Sequence, residues 1–333
     1  MDEEAIETIR ESSRNILVLN RRKHRDEDAD VRRSMTSMRI HIDTVTNISN
    51  KLKTKCAVSA GELQMLKNAL MDDVANIETV LQIHGALRGL VREMTGNEVK
   101  KQCAAAGCCC NLALGDSRAG IAVAKAAGPY LVAGLHNFVP EFAVTCAWTL
   151  GNLAGSGPKA CELLTAQGSI ARLSDHLTNS NEEIRDAALY ALVHFTYQLQ
   201  DNLSTEDLCA LINVMRHLKI SASSQLLFIL SCHAEYSHKL MTADYLQKIL
   251  YFLSVNIEKP LQYENVVNSF RSLANLNSKE VCNIVLNNFV INNMVDVVRK
   301  ASENDKLKDS VLWFLGNAYQ YCSNHEFFVR LQR

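Results

Sequence analysis

A ten-residue motif, CAWTLGNLAG at residues 146–155, recurs in degenerate form and limits the possible folds more than any other feature of the chain. It places Trp148 four residues before Asn152, and a second good copy, VLWFLGNAYQ, does the same with Trp313 and Asn317. Weaker copies carry other residues at the two positions: Gly107 and Asn111, Tyr190 and His194, Phe228 and Cys232, and Arg271 and Asn275. Side chains four residues apart on a helix share one surface. The motif therefore predicts a repeated helical unit that presents the pair on one face.

The spacing of the copies sets the fold class. Their first positions, 107, 148, 190, 228, 271 and 313, are separated by 41, 42, 38, 43 and 42 residues. A helical period of about 40 to 47 residues is typical of HEAT and armadillo solenoids, in which each layer contacts only its neighbours. We therefore predict an all-α, right-handed, superhelical armadillo-repeat solenoid of about six to seven repeats over residues 49–333. A flexible N-terminal arm over residues 1–48 is expected to precede it.

Residues 118–155 indicate how one repeat is built. Breaks at Gly128-Pro129 and at Pro140 predict three helices, of which the long third helix carries Trp148 and Asn152. Successive third helices of an armadillo stack line one face, so the pairs would form a ladder along a groove. The alternative is that Trp148 and Trp313 are core residues, because large aromatics at helical spacing are usually buried. The recurring asparagine favours the groove, since an asparagine inside a core costs free energy unless it is hydrogen-bonded.

The sequence offers little sign of catalysis or of a cofactor. Its eleven cysteines include no CxxC pair, which predicts reduced, buried thiols. Cys108, Cys109 and Cys110 point in different directions on a helix and cannot share one tetrahedral metal ion. Phosphate-loop, dinucleotide-binding and nucleophile-elbow motifs are missing from the sequence. We therefore predict a binding protein, not an enzyme, with no cofactor, no metal and, given no long uncharged apolar run, no membrane contact.

The first residues differ in composition from the rest. Residues 1–44 hold nine Lys or Arg and ten Asp or Glu, whereas residues 45–333 hold 26 of each class. Such a charge density cannot bury a core, so the arm is either disordered or a solvated helix that folds on a partner. A charge cluster alone would also fit a nucleic-acid-binding tail. The neutral body lacks the acidic excess that steers basic ligands.

Beyond the period itself, several motifs resemble the importin-α family of nuclear transport adaptors. CAWTLGNLAGSGP resembles the family's third armadillo repeat, LFILSC its fifth, FRSLANL its sixth and VLWFLGNA its seventh. The match includes the family's exceptions, such as Arg271 in place of a tryptophan and Cys232 in place of an asparagine. The resemblance implies an adaptor that binds cargo proteins carrying basic nuclear localisation signals. It further implies action in cytoplasm and nucleus without direct contact to nucleic acid.

The N-terminal arm carries a second, separate resemblance. Residues 21–33, RRKHRDEDADVRR, resemble the end of the segment through which importin-α binds importin-β. This resemblance implies importin-β as a partner. The basic residues that carry it are Arg21, Arg22, Lys23, Arg25, Arg32 and Arg33.

The resemblance also implies which side chains bind cargo. In the family, asparagine amides bond the peptide backbone and tryptophan rings sandwich lysine stems. A main site would use Asn111, Trp148, Asn152 and Tyr190, and a minor site would use Arg271, Asn275, Trp313 and Asn317. The chain departs from the pattern at Gly107, His194 and Ser156, where the family has tryptophan, asparagine and aspartate. We therefore expect a narrow cargo set and weak binding of lysine-rich peptides. An armadillo scaffold that holds an unrelated protein is the alternative.

Overall fold

The computed structural model describes residues 40–199, 202–233, 239, 241–275, 279–286 and 305–321. The described residues form helices joined by short turns and contain no strand. They divide between Leu199 and Gln200 into two compact units. The arm residues singled out above, Arg21 to Arg33, lie outside the described residues.

The first unit contains ten described helices. Their bounds are Ile42–Thr54 (α1), Ala60–Asp72 (α2), Val74–Gln82 (α3), Ala86–Met94 (α4), Val99–Leu112 (α5), Ser117–Gly134 (α6), Pro140–Gly155 (α7), Pro158–Thr165 (α8), Ser169–His176 (α9) and Glu182–Leu199 (α10). Side-chain caps fix several of the starts: Ser59 and Glu62 form a capping box at α2, and Asp116 accepts from the Ala119 N–H at α6.

Four long helices form the third-helix stack of the first unit. Helix α2 packs on α5, α5 on α7, and α7 on α10. A second layer lies against this stack: α4 packs on α1 and α5, α6 on α7, and α9 on α10. Leucines on the inner faces, among them Leu63, Leu112, Leu150 and Leu192, are fully buried. Each layer thus buries its apolar face against the layers before and after it, as in a solenoid.

The helical body begins before the predicted boundary at residue 49. Helix α1 starts at Ile42, buries Val45, Ile48 and Leu52, and packs on α4. Its Lys51 Nζ lies 2.6 Å from the Glu62 carboxylate of α2. That hydrogen bond, followed by those from Ser59, lowers the pKa of Glu62 to about 2. Residues 42–48 therefore belong to the packed body, because their apolar side chains follow the helical period that continues to Leu52.

The predicted helix break at Gly128-Pro129 is wrong. Helix α6 runs without interruption through Pro129, which lies inside it. A proline inside a helix removes the hydrogen bond to the carbonyl four residues earlier, here that of Lys125. Because Lys125 and Pro129 are both exposed, water can reach that carbonyl. The first two helices expected for this repeat are therefore one continuous helix.

The second unit repeats the same plan in its described part. Its helices are Thr205–Met215 (α11), Ile220–Ser231 (α12), Ala243–Asn256 (α13), Tyr263–Ala274 (α14), Lys279–Leu286 (α15) and Asp305–Tyr321 (α16). Helix α12 packs on α14, and α14 on α16, with Phe270 and Phe314 fully buried between them. None of the helices described in either unit is long and apolar enough to span a membrane.

Candidate functional site

The motif asparagines bind the preceding third helix in both units. In the first unit, Asn111 Nδ2 donates to the Lys67 carbonyl oxygen at 2.8 Å. Asn152 Nδ2 lies 3.4 Å from the Cys110 carbonyl oxygen and 3.3 Å from Cys110 Sγ. In the second unit, Asn275 Nδ2 donates to Ser231 Oγ and Asn317 Nδ2 to the Ala274 carbonyl oxygen, both at 2.8 Å. The asparagines thus form an inter-repeat ladder.

Two contacts of the ladder, those of Asn152 and Asn317, reach backbone acceptors that helix ends leave open. Cys110 lies in the last turn of α5 and Ala274 is the last residue of α14, where carbonyls lack an intrahelical donor. Asn111 and Asn152 are each only 7% exposed. The spacing predicted that the asparagines share one face, but it did not predict their partners in the neighbouring repeat. The 42 to 44 residues that separate donor from acceptor, close to the repeat period, are the signal that could have revealed them.

Three predicted residues of the first unit meet in one cluster. The rings of Trp148 and Tyr190 have centroids 4.4 Å apart, and the Tyr190 hydroxyl donates to Asn152 Oδ1 at 2.8 Å. The His194 ring meets Tyr190 edge-on at 4.6 Å. Gly151 makes room for this packing, because a Cβ there would lie 2.6 Å from the Tyr190 ring. Trp148 is half-buried, so part of the residue contacts solvent.

The two departures at Gly107 and Ser156 have structural explanations. A Cβ at Gly107 would lie 2.8 Å from Lys67 Cδ, so the stem of Lys67 fills the space a larger side chain would need. Ser156 Oγ donates to the Leu153 carbonyl at 2.7 Å, and its Cβ lies 2.6 Å from where a Cβ on Gly120 would be. Ser156 therefore packs closely on α6, and the carboxylate expected there from the resemblance is missing.

The predicted residues of the second unit are more enclosed. Trp313 is 9% exposed and Arg271 is 8% exposed. The Arg271 guanidinium lies 5.6 Å from the centroid of the Phe228 ring, and Arg271 Nε donates to Ser310 Oγ at 3.2 Å. Phe228 meets Trp313 edge-on with centroids 6.5 Å apart. Burial lowers the pKa of Arg271. Arg271 and Trp313 thus both contact the ring of Phe228, and their role in ligand binding stays a prediction.

Metal-ligand clusters and cysteine reactivity can be assessed for the described residues. Among them, no three potential ligands cluster closely enough to hold a metal ion. Burial raises the pKa of Cys108 and, to about 12, that of Cys109. Both thiols are therefore protonated at neutral pH and are poor nucleophiles.

Comparison with known proteins places the fold. No protein-family model matches the sequence, and no curated protein matches it either. A crystal structure of an engineered protein from the Northeast Structural Genomics Consortium superposes with a TM-score of 0.70 at 19% identity, covering 83% of this chain and 68% of that chain. A designed armadillo repeat protein superposes with a TM-score of 0.50 at 15% identity, covering 82% of this chain and 99% of that one. Together with the described helices, these similarities confirm the predicted all-α armadillo-repeat solenoid.

Proposed function

We propose that this protein is a peptide-binding transport adaptor, which holds an extended basic segment of a cargo protein against the third helices of its first unit. The observation that carries the proposal is the half-buried Trp148, which lies one repeat from both Asn111 and Tyr190 on successive stacked helices. We call Asn111, Trp148, Asn152 and Tyr190 the first-unit site. Because its members come from α5, α7 and α10, a ligand that touches all of them has to be extended along the stack.

The site suits a cationic side chain. A lysine or arginine stem packs on the exposed part of the Trp148 ring, while its charge gains a cation–π interaction of about 0.5–1 kcal/mol. No carboxylate stands at Ser156 to pair with that charge. A charge-assisted hydrogen bond contributes about 1.5–3 kcal/mol, so its absence weakens lysine binding by about tenfold to a hundredfold. We therefore expect moderate affinity and a narrow set of cargo proteins that make contacts beyond a simple basic run.

Arg271, Asn275, Trp313 and Asn317 form a corresponding second-unit site. Both Arg271 and Trp313 are more than nine-tenths buried, so this site offers less surface to a ligand than the first-unit site does. We expect it to contribute little affinity.

The proposed transport role also needs a carrier, and the arginines of residues 21–33 in the N-terminal arm would supply the contact with importin-β. The test is capture of the full chain by importin-β, compared with a variant in which Arg21, Arg22, Arg25, Arg32 and Arg33 are alanine. We expect the wild type to bind, the variant to fail, and rising salt to weaken binding, because the contacts are ionic and exposed. Failure of the wild type to bind would remove importin-β from the proposal.

A second candidate function is an armadillo scaffold for an unrelated protein partner. It is favoured by the inter-repeat ladder, because asparagines committed to neighbouring helices have fewer hydrogen-bonding groups to offer a peptide. The two functions differ in a direct assay. A scaffold without a peptide site leaves lysine-rich peptides unbound, whereas the adaptor binds them through Trp148.

A further inference from the structure

The contact between Trp148 and Tyr190 leaves no space between the two rings. In the arrangement expected from the sequence, a lysine stem lies between two aromatic faces. A methylene stem touches each face at about 3.5–4 Å, so the faces have to stand about 7–8 Å apart. The centroids of Trp148 and Tyr190 are only 4.4 Å apart and the rings are tilted by 48°. Tyr190 therefore occupies the place of the ligand side chain.

The amide of Asn152 is occupied in the same way. Its Nδ2 faces the carbonyl oxygen and the thiol of Cys110, and its Oδ1 accepts from the Tyr190 hydroxyl at 2.8 Å. A peptide N–H that approaches Asn152 Oδ1 meets the tyrosine hydroxyl at that oxygen. One tyrosine thus covers both the ring and the amide that a bound peptide would use.

We propose that Tyr190 is a gate that closes the first-unit site until a ligand displaces its ring and its hydroxyl together. The gate rests on the proposed function, since it regulates the same site. Tyr190 is half-buried and not fully enclosed, so we infer that its ring can turn toward solvent. When only a small fraction of the protein is in the binding-competent state, the apparent affinity for the ligand is the intrinsic affinity multiplied by that fraction. An aromatic contact and a hydrogen bond together favour the closed state over the open state by about tenfold or more.

The gate makes Tyr190 a specificity-determining residue. A ligand with a single basic side chain gains too little from Trp148 to open the site. A peptide that also contacts neighbouring repeats compensates for the lost contact and hydrogen bond. This selects against short basic segments without any acidic residue at the site, in keeping with a narrow set of partners.

The test measures binding of an octapeptide of alternating lysine and arginine by calorimetry. All variants carry Trp313→Phe, so that Trp148, one of two tryptophans in the chain, is the sole tryptophan and can be excited selectively over the tyrosines. Tyr190→Phe, which keeps the ring and removes the hydroxyl, is expected to bind about threefold more tightly or better, and Tyr190→Ala about tenfold more tightly. The matched control, Tyr130→Phe, removes an exposed hydroxyl from α6 and is expected to bind as the background does. Trp148→Ala is expected to lose binding.

Acrylamide quenching of Trp148 without peptide tests the gate on its own. Removal of the ring in Tyr190→Ala is expected to raise the quenching of Trp148, with the helical signal and melting profile retained. Unchanged quenching overturns the gate. Weaker or equal peptide binding by Tyr190→Ala, alongside loss of binding by Trp148→Ala, also overturns it and makes Tyr190 a stacking platform in a working groove. If no variant binds the peptide but quenching of Trp148 rises in Tyr190→Ala, the proposed function fails, although Tyr190 does cover the Trp148 ring.

Discussion

Replacement of Asn152 by alanine tests whether the inter-repeat ladder stabilises the first unit. The side chain is 7% exposed, accepts from the Tyr190 hydroxyl at 2.8 Å and lies 3.4 Å from the Cys110 carbonyl oxygen. A net hydrogen bond contributes about 0.5–1.5 kcal/mol, and a buried group left without a partner costs about 1–3 kcal/mol. The longer of the two contacts is weak, and the half-exposed Tyr190 can turn to water. We therefore expect Asn152→Ala to lower the free energy of unfolding by about 1–2 kcal/mol.

Urea unfolding followed by Trp148 fluorescence, in the Trp313→Phe background, measures this loss within the first unit. The matched control is Asn97→Ala, whose exposed side chain lies in the turn before α5 and is expected to change stability by less than about 0.5 kcal/mol. Tyr190→Phe provides a second comparison, because it removes only the shorter hydrogen bond. A loss for Asn152→Ala no larger than that of Asn97→Ala would refute the stabilising role of the ladder.

Three further predictions follow from packing and charge. Trp313→Ala is expected to cost about 3–5 kcal/mol, measured by denaturant unfolding, because the ring is 9% exposed and packs on Phe228. Gly89→Ala is expected to cost about 1–3 kcal/mol in the same assay, because a Cβ there would lie 2.6 Å from the carbonyl oxygen of Leu52. Burial, with a smaller contribution from His136, lowers the pKa of His176, so the unfolded chain binds that proton more readily. The stability measured across a pH series should therefore be fully present above about pH 6.5 and fall as the pH drops through the lower folded pKa.

Each of these changes has a control in the same chain. Trp148→Ala should cost less than Trp313→Ala, since Trp148 is only half-buried. Gly61→Ala meets nothing closer than 3.9 Å and should be neutral or stabilising, because alanine favours a helix. His176→Asn, which removes the titrating ring, should flatten the pH dependence. Equal losses of stability for Trp148→Ala and Trp313→Ala would contradict the difference in burial between the two tryptophans. A Gly89→Ala protein as stable as the wild type would contradict the close packing of Gly89 on Leu52. An unchanged pH dependence of stability in His176→Asn would contradict the role given to His176.

The repeat period predicted the fold because it is a property of every layer. The third helix of each repeat packs on the third helix of the next repeat. Apolar residues and the Trp/Asn pair therefore recur at that spacing regardless of the loop sequences. The local signal of Gly128-Pro129, in contrast, predicted a break that is wrong, since Lys125 is exposed and water can reach its carbonyl in place of the missing donor. Local residues alone did not reveal that exposure.

The candidate site was less predictable. The positions of Asn152 and Trp148 on one face follow from their spacing, but their hydrogen-bonding partners depend on the register between repeats. The packing of Tyr190 on Trp148 could not be predicted from their spacing, although Gly151 beneath the Tyr190 ring is a small residue at the point of contact. The role of the predicted residues in cargo binding stays a prediction.

Photo-crosslinking of a bound peptide determines whether a ligand lies along the third helices of the first unit. A lysine-rich peptide with one benzophenone side chain is irradiated with the full-length protein, and the linked residues are identified by mass spectrometry. A peptide held along the third helices is expected to crosslink to α5, α7 and α10 around Trp148, and the crosslinks should disappear in Trp148→Ala. Crosslinks confined to the second-layer helices α1, α4, α6 and α9, or saturable crosslinks that persist without Trp148, would contradict the account.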